Sequence, residues 1–515
     1  MGRVPARRIE EGQLGRPRQW SAACRRAAGV GWLRDHWATE QRFGRPRGAA
    51  PNGAYLFAEE YSMLSRSLNP AFLGRLAAAA IVSLAVALPA AAQVVSTTTR
   101  SVGGISIDPS GLLQNAVRDD VLALARARQE AFEQVPADLN TPVPLRKVSL
   151  RGLEQAVAES LKSGKPLPDA VKYLAGLQRI EYIFVYPEQQ DIVLAGPAEG
   201  WKIDARGNVV GATSGRPVML LDDLLVALRS AQAAARGGIS CSIDPSPEGL
   251  ARLQQSLNSL VRSGDPQQAM TEIERTLGPQ TISVQGVPAE SHFGRVLVAA
   301  DYRMKRIAMG FEPSPVRGLP SFLQMLGNRG SGSLLPRWWL EPRYEAVLRD
   351  ADGLAWNLRG ASVKAMTEED FINAKGQKEH SGKPHPLAQK WADLMTEKYG
   401  ELAVAEPVFG QLQNCVDLAV VAAVVVKERL GEKAGLSLPV LLDEQSLKTE
   451  AFFAPKTVAT KASVLKKSGG WVISASGGVM IPSWSIADTA RKSDDCSTAR
   501  AKTNYKTSAA AWYWN

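Results

Sequence analysis

The chain has 515 residues, of which 45% are hydrophobic, 22% charged and 7% aromatic, which excludes a fibrous or wholly disordered protein. Its formal charge of +10 does not argue for nucleic acid. Residues 1–92 carry 13 Arg, no Lys and 6 acidic residues, leaving 48 basic and 45 acidic residues for a nearly neutral remainder.

Residues 1–62 are rich in Arg, Gly, Pro and Ala and have little periodicity. They read as a non-native or disordered leader, with Met63 as the true start. Leu76–Leu88 is an uncharged apolar run preceded by Arg66 and Arg75 and followed by Pro89-Ala90-Ala91-Ala92. That order of basic, apolar and small residues is a secretory signal over 63–92, cleaved after Ala92. The run is shorter than the roughly 20 residues of a membrane span. The expectation is an exported chain, periplasmic or extracellular, with no membrane anchor after cleavage. Of the four cysteines, Cys24 is lost with the leader, so Cys241, Cys415 and Cys496 allow one disulfide at most. No CxxC occurs, and His36, His292, His380 and His385 are not spaced with cysteine as metal ligands, so neither a metal nor a cofactor is implied.

From Gly103 an element order begins that later repeats. Gly103–Ser110 (GGISIDPS) returns as Gly237–Ser240 and Ile243–Ser246, separated by two residues. Ser163–Pro166 (SGKP) matches Ser263–Pro266 (SGDP), and Ile192–Ala195 matches Val296–Ala299, both apolar runs that read as buried strands. Pro217, Val218, Leu221, Leu224, Leu225 and Leu228 match Pro315, Val316, Leu319, Phe322, Leu323 and Leu326. Four matches in one order predict two diverged α/β repeats, 93–235 and 236–335. Within them Asp108 and Asp244, each before a proline, read as helix caps. Glu181–Tyr186 with Asp191–Ala195, and Trp201–Val210 around Arg206-Gly207-Asn208, read as hairpins.

The third segment, 336–515, opens on a possible further acid-proline element, Leu340-Glu341-Pro342. A hairpin follows, formed by Tyr344–Arg349 and Leu354–Leu358, and then a polar, loop-like Thr367–His385. Leu387–Val404 and Phe409–Leu430 have helical spacing and are joined near Glu406-Pro407. The apolar run Leu418–Val426 marks a buried helix. Residues 450–515 read as strands and loops ending in Trp512-Tyr513-Trp514. The fold class is therefore α+β: tandem α/β repeats, then a hairpin and a helical C-terminal region.

The blocks AGPAEGWKID, GRPVMLLDDLLVALR, GGISCSIDPSPEGL and VLVAADYRMKRIAMGFEPSPVRGLPSFL resemble a secreted family of planctomycete bacteria, catalogued as a domain of unknown function (family 1598 of that series). The resemblance runs over about 140–470. It implies export and a bacterial envelope setting, and no activity, cofactor or catalytic residue.

Candidate sites are few. Cys241 and His292 form one nucleophile–base pair with the residue types of a cysteine hydrolase, set against a buried thiol and a drifting loop. Asp301, Arg303, Lys305 and Arg306 face Glu199 and Lys202 if the repeats are related by a pseudo-twofold cleft, a place where ligands bind; surface ion pairing is the plainer reading. Trp338, Trp339, Trp356 and Trp391 stack on sugar rings if exposed and pack the core otherwise. A Cys415–Cys496 bridge would tie the C-terminal segment to the body. No GxSxG, P-loop or HExxH occurs. The leading expectation is a non-enzymatic binding or structural component of the cell envelope with a protein or polysaccharide partner. The alternatives are a Cys241/His292 hydrolase and a wall-polysaccharide binder.

Overall fold

The computed structural model describes residues 101–515 except 261–264, 328–333, 361, 374, 376, 465–470, 474–475, 504 and 506–511. The expected leader and signal segment, residues 1–92, lie outside the described residues. The elements run in this order. First come β1 (Ile105–Ile107), β2 (Leu112–Asn115), α1 (Arg118–Glu130), β3 (Val143–Ser149), α2 (Leu150–Ser163) and α3 (Asp169–Lys172). Then follow β4 (Tyr182–Tyr186), β5 (Asp191–Ala198), β6 (Trp201–Ile203), β7 (Val209–Gly211) and α4 (Leu221–Ala234). The middle holds β8 (Ile239–Pro245), α5 (Pro247–Leu260), α6 (Pro266–Leu277), β9 (Gln280–Gln285), α7 (His292–Ala308) and α8 (Phe322–Leu326). Next are β10 (Leu335–Arg343), β11 (Ala346–Arg349), β12 (Ala355–Arg359), β13 (Ser362–Ile372) and β14 (Lys378–His380). Helices α9 (Pro386–Glu397), α10 (Tyr399–Ala405), α11 (Pro407–Lys427) and α12 (Leu430–Ala434) lead into β15 (Thr457–Val458), β16 (Ala462–Val464), β17 (Trp471–Ile473) and β18 (Ser476–Ile481). The chain ends with α13 (Ser483–Asp488), β19 (Arg491–Lys492), α14 (Asp494–Lys502) and β20 (Tyr513–Trp514).

Two mixed sheets organise these elements, so the protein is α+β. One has nine strands in the order β1-β2-β15-β9-β8-β18-β10-β13-β14, and the other seven in the order β19-β11-β12-β4-β5-β3-β20. Strands from residues 93–235, 236–335 and 336–515 all enter the nine-stranded sheet. Helix α7 lies on that sheet, α12 lies on β4 and β5 of the other, and α11 packs against both α7 and α12.

Local chemistry explains most element ends. The Ser149 hydroxyl accepts from the Gly152 N–H at 2.8 Å to start α2, and Gly164 ends it in the left-handed region at φ +64°. Ser321 and Gln324 form a reciprocal capping box on α8. Pro407 occupies the first turn of α11, where its missing N–H is no loss. That helix has 21 residues, long and apolar enough to span a bilayer, yet 89% of its most apolar window is buried inside the fold. Tertiary packing, rather than length, makes it a core helix.

Several expectations are corrected. Val296–Ala299, matched to strand β5, lies in the middle of α7. The duplication over 93–235 and 236–335 therefore does not carry over to the topology. What recurs is a strand–helix–helix–strand order, β3-α2-α3-β4 and β8-α5-α6-β9. Ser163–Pro166 falls between the two helices of the first unit, and Asp265 and Pro266 open the second helix of the other, while Ser263 and Gly264 lie outside the described residues. Asp108 caps no helix. Its carboxylate accepts from the N–H groups of Ser110 and Leu112 and so closes the β1–β2 turn. Asp244 sits within β8 opposite Thr281, and the Ser246 hydroxyl, accepting from the Gly249 N–H, starts α5 instead. Leu340-Glu341-Pro342 lies inside β10. The polar stretch Thr367–His385 contains the end of β13 and all of β14, because a strand at a sheet edge with one wet face needs few apolar residues.

A candidate ligand-binding cleft

The sequence candidates separate in space. Cys241 is buried on β8 between Val284 of β9 and Val479 of β18, and burial pushes its thiol well above the ordinary cysteine range. The charges that act on it belong to Asp301, Lys305 and Asp244. His292 opens α7, and its Nδ1 lies 3.0 Å from both carboxylate oxygens of Asp223. Nine residues of helix separate His292 from Asp301, about 13 Å at a rise of about 1.5 Å per residue. The fold thus places the thiol beside one part of α7 and the imidazole at its start, so no Cys241–His292 pair is assembled.

The other groupings change as well. Asp301 pairs with Lys305 at 2.9 Å in a buried site, and Lys305 also donates to the Ile243 carbonyl at 3.3 Å. Burial raises the Asp301 carboxyl to about 6. Glu199 instead accepts from Gln178, Thr213 and Ser214, and Lys202 donates to the Ala212 carbonyl, so both serve the loops around β6 and β7. No contact among the described residues joins them to Asp301, Arg303, Lys305 or Arg306. Trp338, Trp356 and Trp391 are fully buried, and Trp338 meets Trp391 edge-on at 5.4 Å. Trp339 is half-buried under Arg337. These four rings therefore offer no pair of exposed platforms for a sugar.

The Cys415–Cys496 bridge is likewise corrected. Both thiols are free, Cys415 within the main core on α11 and Cys496 in a separate cluster with Phe184, Tyr186 and Trp514. The C-terminal segment returns to the body by other means. β20 adds to β3, Ser149 N–H donates to the Trp512 carbonyl, and the Tyr505 hydroxyl donates to buried Asp191 at 2.6 Å.

One of the candidates, Arg303, lines a cleft of about 470 Å³, a size within the usual range for small-molecule sites. Its walls are the β1–β2 hairpin, the first turns of α1, the turn between β6 and β7, and the approach to α11. Each wall has a local cause. Gly103 adopts φ +59°, and a Cβ there would stand 2.5 Å from the Val408 side chain and 2.8 Å from that of Ala299, so only glycine lets the hairpin close on α7 and α11. Asp204 accepts from the N–H groups of Arg206 and Asn208 and from the Asn208 amide, making the tight turn that presents Arg206. Glu406, just before Pro407, leaves its carboxylate free of helix capping and turned into the cleft.

An alternating chain of charge results. Arg206 Nη1 lies 2.8 Å from both oxygens of Glu406, and Arg303 reaches Glu406 at 2.9 Å and Glu312 at 2.8 Å. Arg306, behind the wall, also holds Glu312. Arg303 Nε is buried without a hydrogen-bond partner among the described residues. Across the cleft, exposed Arg118 in the first turn of α1 has no ion pair among the described residues. Three guanidinium groups therefore face two carboxylates. The sequence did mark Arg303, the Arg206 turn and Glu406-Pro407, but as three unrelated features. Nothing in it pointed to Arg118.

This is an α+β protein with a preformed, arginine-lined cleft. Residues 241–322 match a family model described as protein of unknown function (DUF1598), so the chain carries a domain of that family. The matched stretch includes Arg303 and Glu312, while Arg118, Arg206 and Glu406 lie outside it. No curated protein and no solved structure matches the chain.

Proposed function

We propose that this chain is exported and acts outside the cytoplasm, in the bacterial envelope, as a non-enzymatic protein that binds a small ligand in the cleft between α1, α7 and α11. The observation that carries the reading is the cleft itself: about 470 Å³, lined by Arg118, Arg206 and Arg303, with Glu312 and Glu406 already holding two of these in place. Side chains fixed before the ligand arrives lose little entropy on binding, which is what a binding site needs. Export rests on the ordered signal at residues 63–92.

The mature protein, exposed to an envelope extract, washed and then denatured, should release a small molecule identifiable by mass spectrometry. Ala205→Trp, which fills the mouth of the cleft from an exposed turn, should release none. Equal recovery from both proteins, or from neither, would end the reading. Mass spectrometry of protein taken from the producing cell should find Gln93, free or as pyroglutamate, at the N-terminus; a start within residues 1–62 would refute the proposed export signal.

A further inference from the structure

We infer that the ligand of the cleft is an amphipathic anion, with a carboxylate or phosphate head held between Arg118 and Arg206 and an apolar body lying against Val121 and Leu122. The inference rests on the cleft being the binding site.

Charge selects the head group. Glu406 and Glu312 are shared among Arg206, Arg303 and Arg306, so the far wall is fixed and keeps an excess of positive charge. Arg118 stands on the opposite wall, without an ion pair among the described residues. The Arg206 side chain is 52% exposed and spends a single nitrogen, Nη1, on Glu406. Arg206 and Arg118 both line the cleft, so both have N–H groups left for a ligand there. An anion there would take charge-assisted, two-pronged hydrogen bonds, the geometry in which arginine outperforms lysine. Arg303 acts as a positioning residue, holding Glu406 and through it Arg206.

Apolar surface selects the rest. Leu122 is 37% exposed and Val117, at the start of the same helix, 60% exposed, two of the few large apolar side chains left open to solvent. Leu122 lines the cleft with Val121. At Gly104, which also lines the cleft, the nearest atom to a would-be Cβ is Arg303 Nη1, 3.7 Å away, so the space beside Gly104 is open. A small inorganic anion would leave that wall wet, and a neutral chain would leave Arg118 uncompensated.

The test uses the whole mature protein and calorimetric titration with monomeric decanoate, decyl phosphate, decanol and inorganic phosphate. Decanoate or decyl phosphate should bind, with decanol and inorganic phosphate each at least about tenfold weaker. Arg118→Ala, on an exposed side chain, should weaken both anionic amphiphiles about tenfold or more without shifting the thermal midpoint. Leu122→Ser should weaken them while leaving inorganic phosphate unchanged. Decanol binding as tightly as decanoate, inorganic phosphate binding as tightly as decyl phosphate, or Arg118→Ala without effect would each overturn the inference. Vesicles containing phosphatidylglycerol form a further arm: binding to vesicles without binding to the monomeric amphiphiles also overturns it, since a membrane surface rather than the cleft would be responsible. If none of these probes binds but an extract ligand is still lost in Ala205→Trp, the ligand class is wrong and the cleft reading stands. If no ligand of any kind is retained, both fall.

Discussion

Helices α11 and α1 both line the cleft, yet α11 buries every residue from Pro407 to Gly410 and from Leu412 to Val424, whereas α1 buries Ala125 alone. α11 also carries an internal ion pair. Asp417 accepts from Arg179 at 2.5 and 2.9 Å and from the Tyr344 hydroxyl at 3.0 Å, joining the core helix to the segments before β4 and β11. α1 is held by Leu124 and Ala125 against Gly207, and by Arg128 Nη1 donating to the Gly207 carbonyl at 2.5 Å. The difference shows how a cleft can have one wall set by the global fold and another set by a few local contacts. The fixed wall carries the paired charges, and the lightly held wall carries Arg118 and the exposed apolar residues.

The hardest test of this contrast is Asp417→Ala. It removes the carboxylate bonded to the buried Arg179 guanidinium, leaving Glu181 as the acidic neighbour that still acts on it, and should cost about 3–5 kcal/mol in urea unfolding. A loss under about 1 kcal/mol would mean that the lock does not hold α11. Leu418→Ala, at a fully buried position of the same helix, should cost roughly 2–5 kcal/mol through lost burial and a residual cavity.

A smaller effect comes from charge at the helix beside α11. Both α4 and α1 begin with two acids, Asp222-Asp223 and Asp119-Asp120. Burial, with neighbouring Asp223 adding to it, raises the Asp222 carboxyl from 3.8 to about 6. The folded state therefore binds this proton more tightly than the unfolded chain. The contribution to stability is full below about pH 4 and is lost as pH rises through about 6. Asp222→Asn keeps an oxygen for the Glu450 N–H and removes the charge. It should be more stable than the parent by about 1–2 kcal/mol at pH 7, after allowance for solvent screening, and equal to it near pH 4. A gain of the same size at both pH values would show that charge is not the cause.

The smallest effect belongs to α1. Leu122→Ala should change stability by no more than about 0.5 kcal/mol, and amide exchange in α1 should be faster than in α11 by orders of magnitude. Comparable protection in the two helices would erase the contrast on which the two-wall description rests.

Much of the seven-stranded sheet was legible. The hairpins Glu181–Tyr186/Asp191–Ala195 and Tyr344–Arg349/Leu354–Leu358 appear as β4–β5 and β11–β12, because alternation and turn residues act over a few positions. The nine-stranded sheet was not. Its partners β2 and β15, or β18 and β8, are more than 200 residues apart in the chain, and no local signal carries such pairings. The candidate site was legible in the same partial way: Arg303 was marked for its charge, but it was assigned Glu199 and Lys202 as partners on the strength of a repeat that the topology does not keep.

The sequence by itself determined the α+β class, the apolar run that becomes α11 and the tight turn at Arg206-Gly207-Asn208. Each follows from interactions within about one turn or one strand length. Only the tertiary structure decided that Val296–Ala299 is helix rather than strand, since a run buried on all sides has no polar face to reveal its period. It alone also brought Arg118, Arg206, Arg303 and Glu406 to one cleft. Those four residues come from separate segments spread over almost 300 positions, and their meeting depends on α7 and α11 packing together and on a hairpin glycine that lets β1 and β2 close over them.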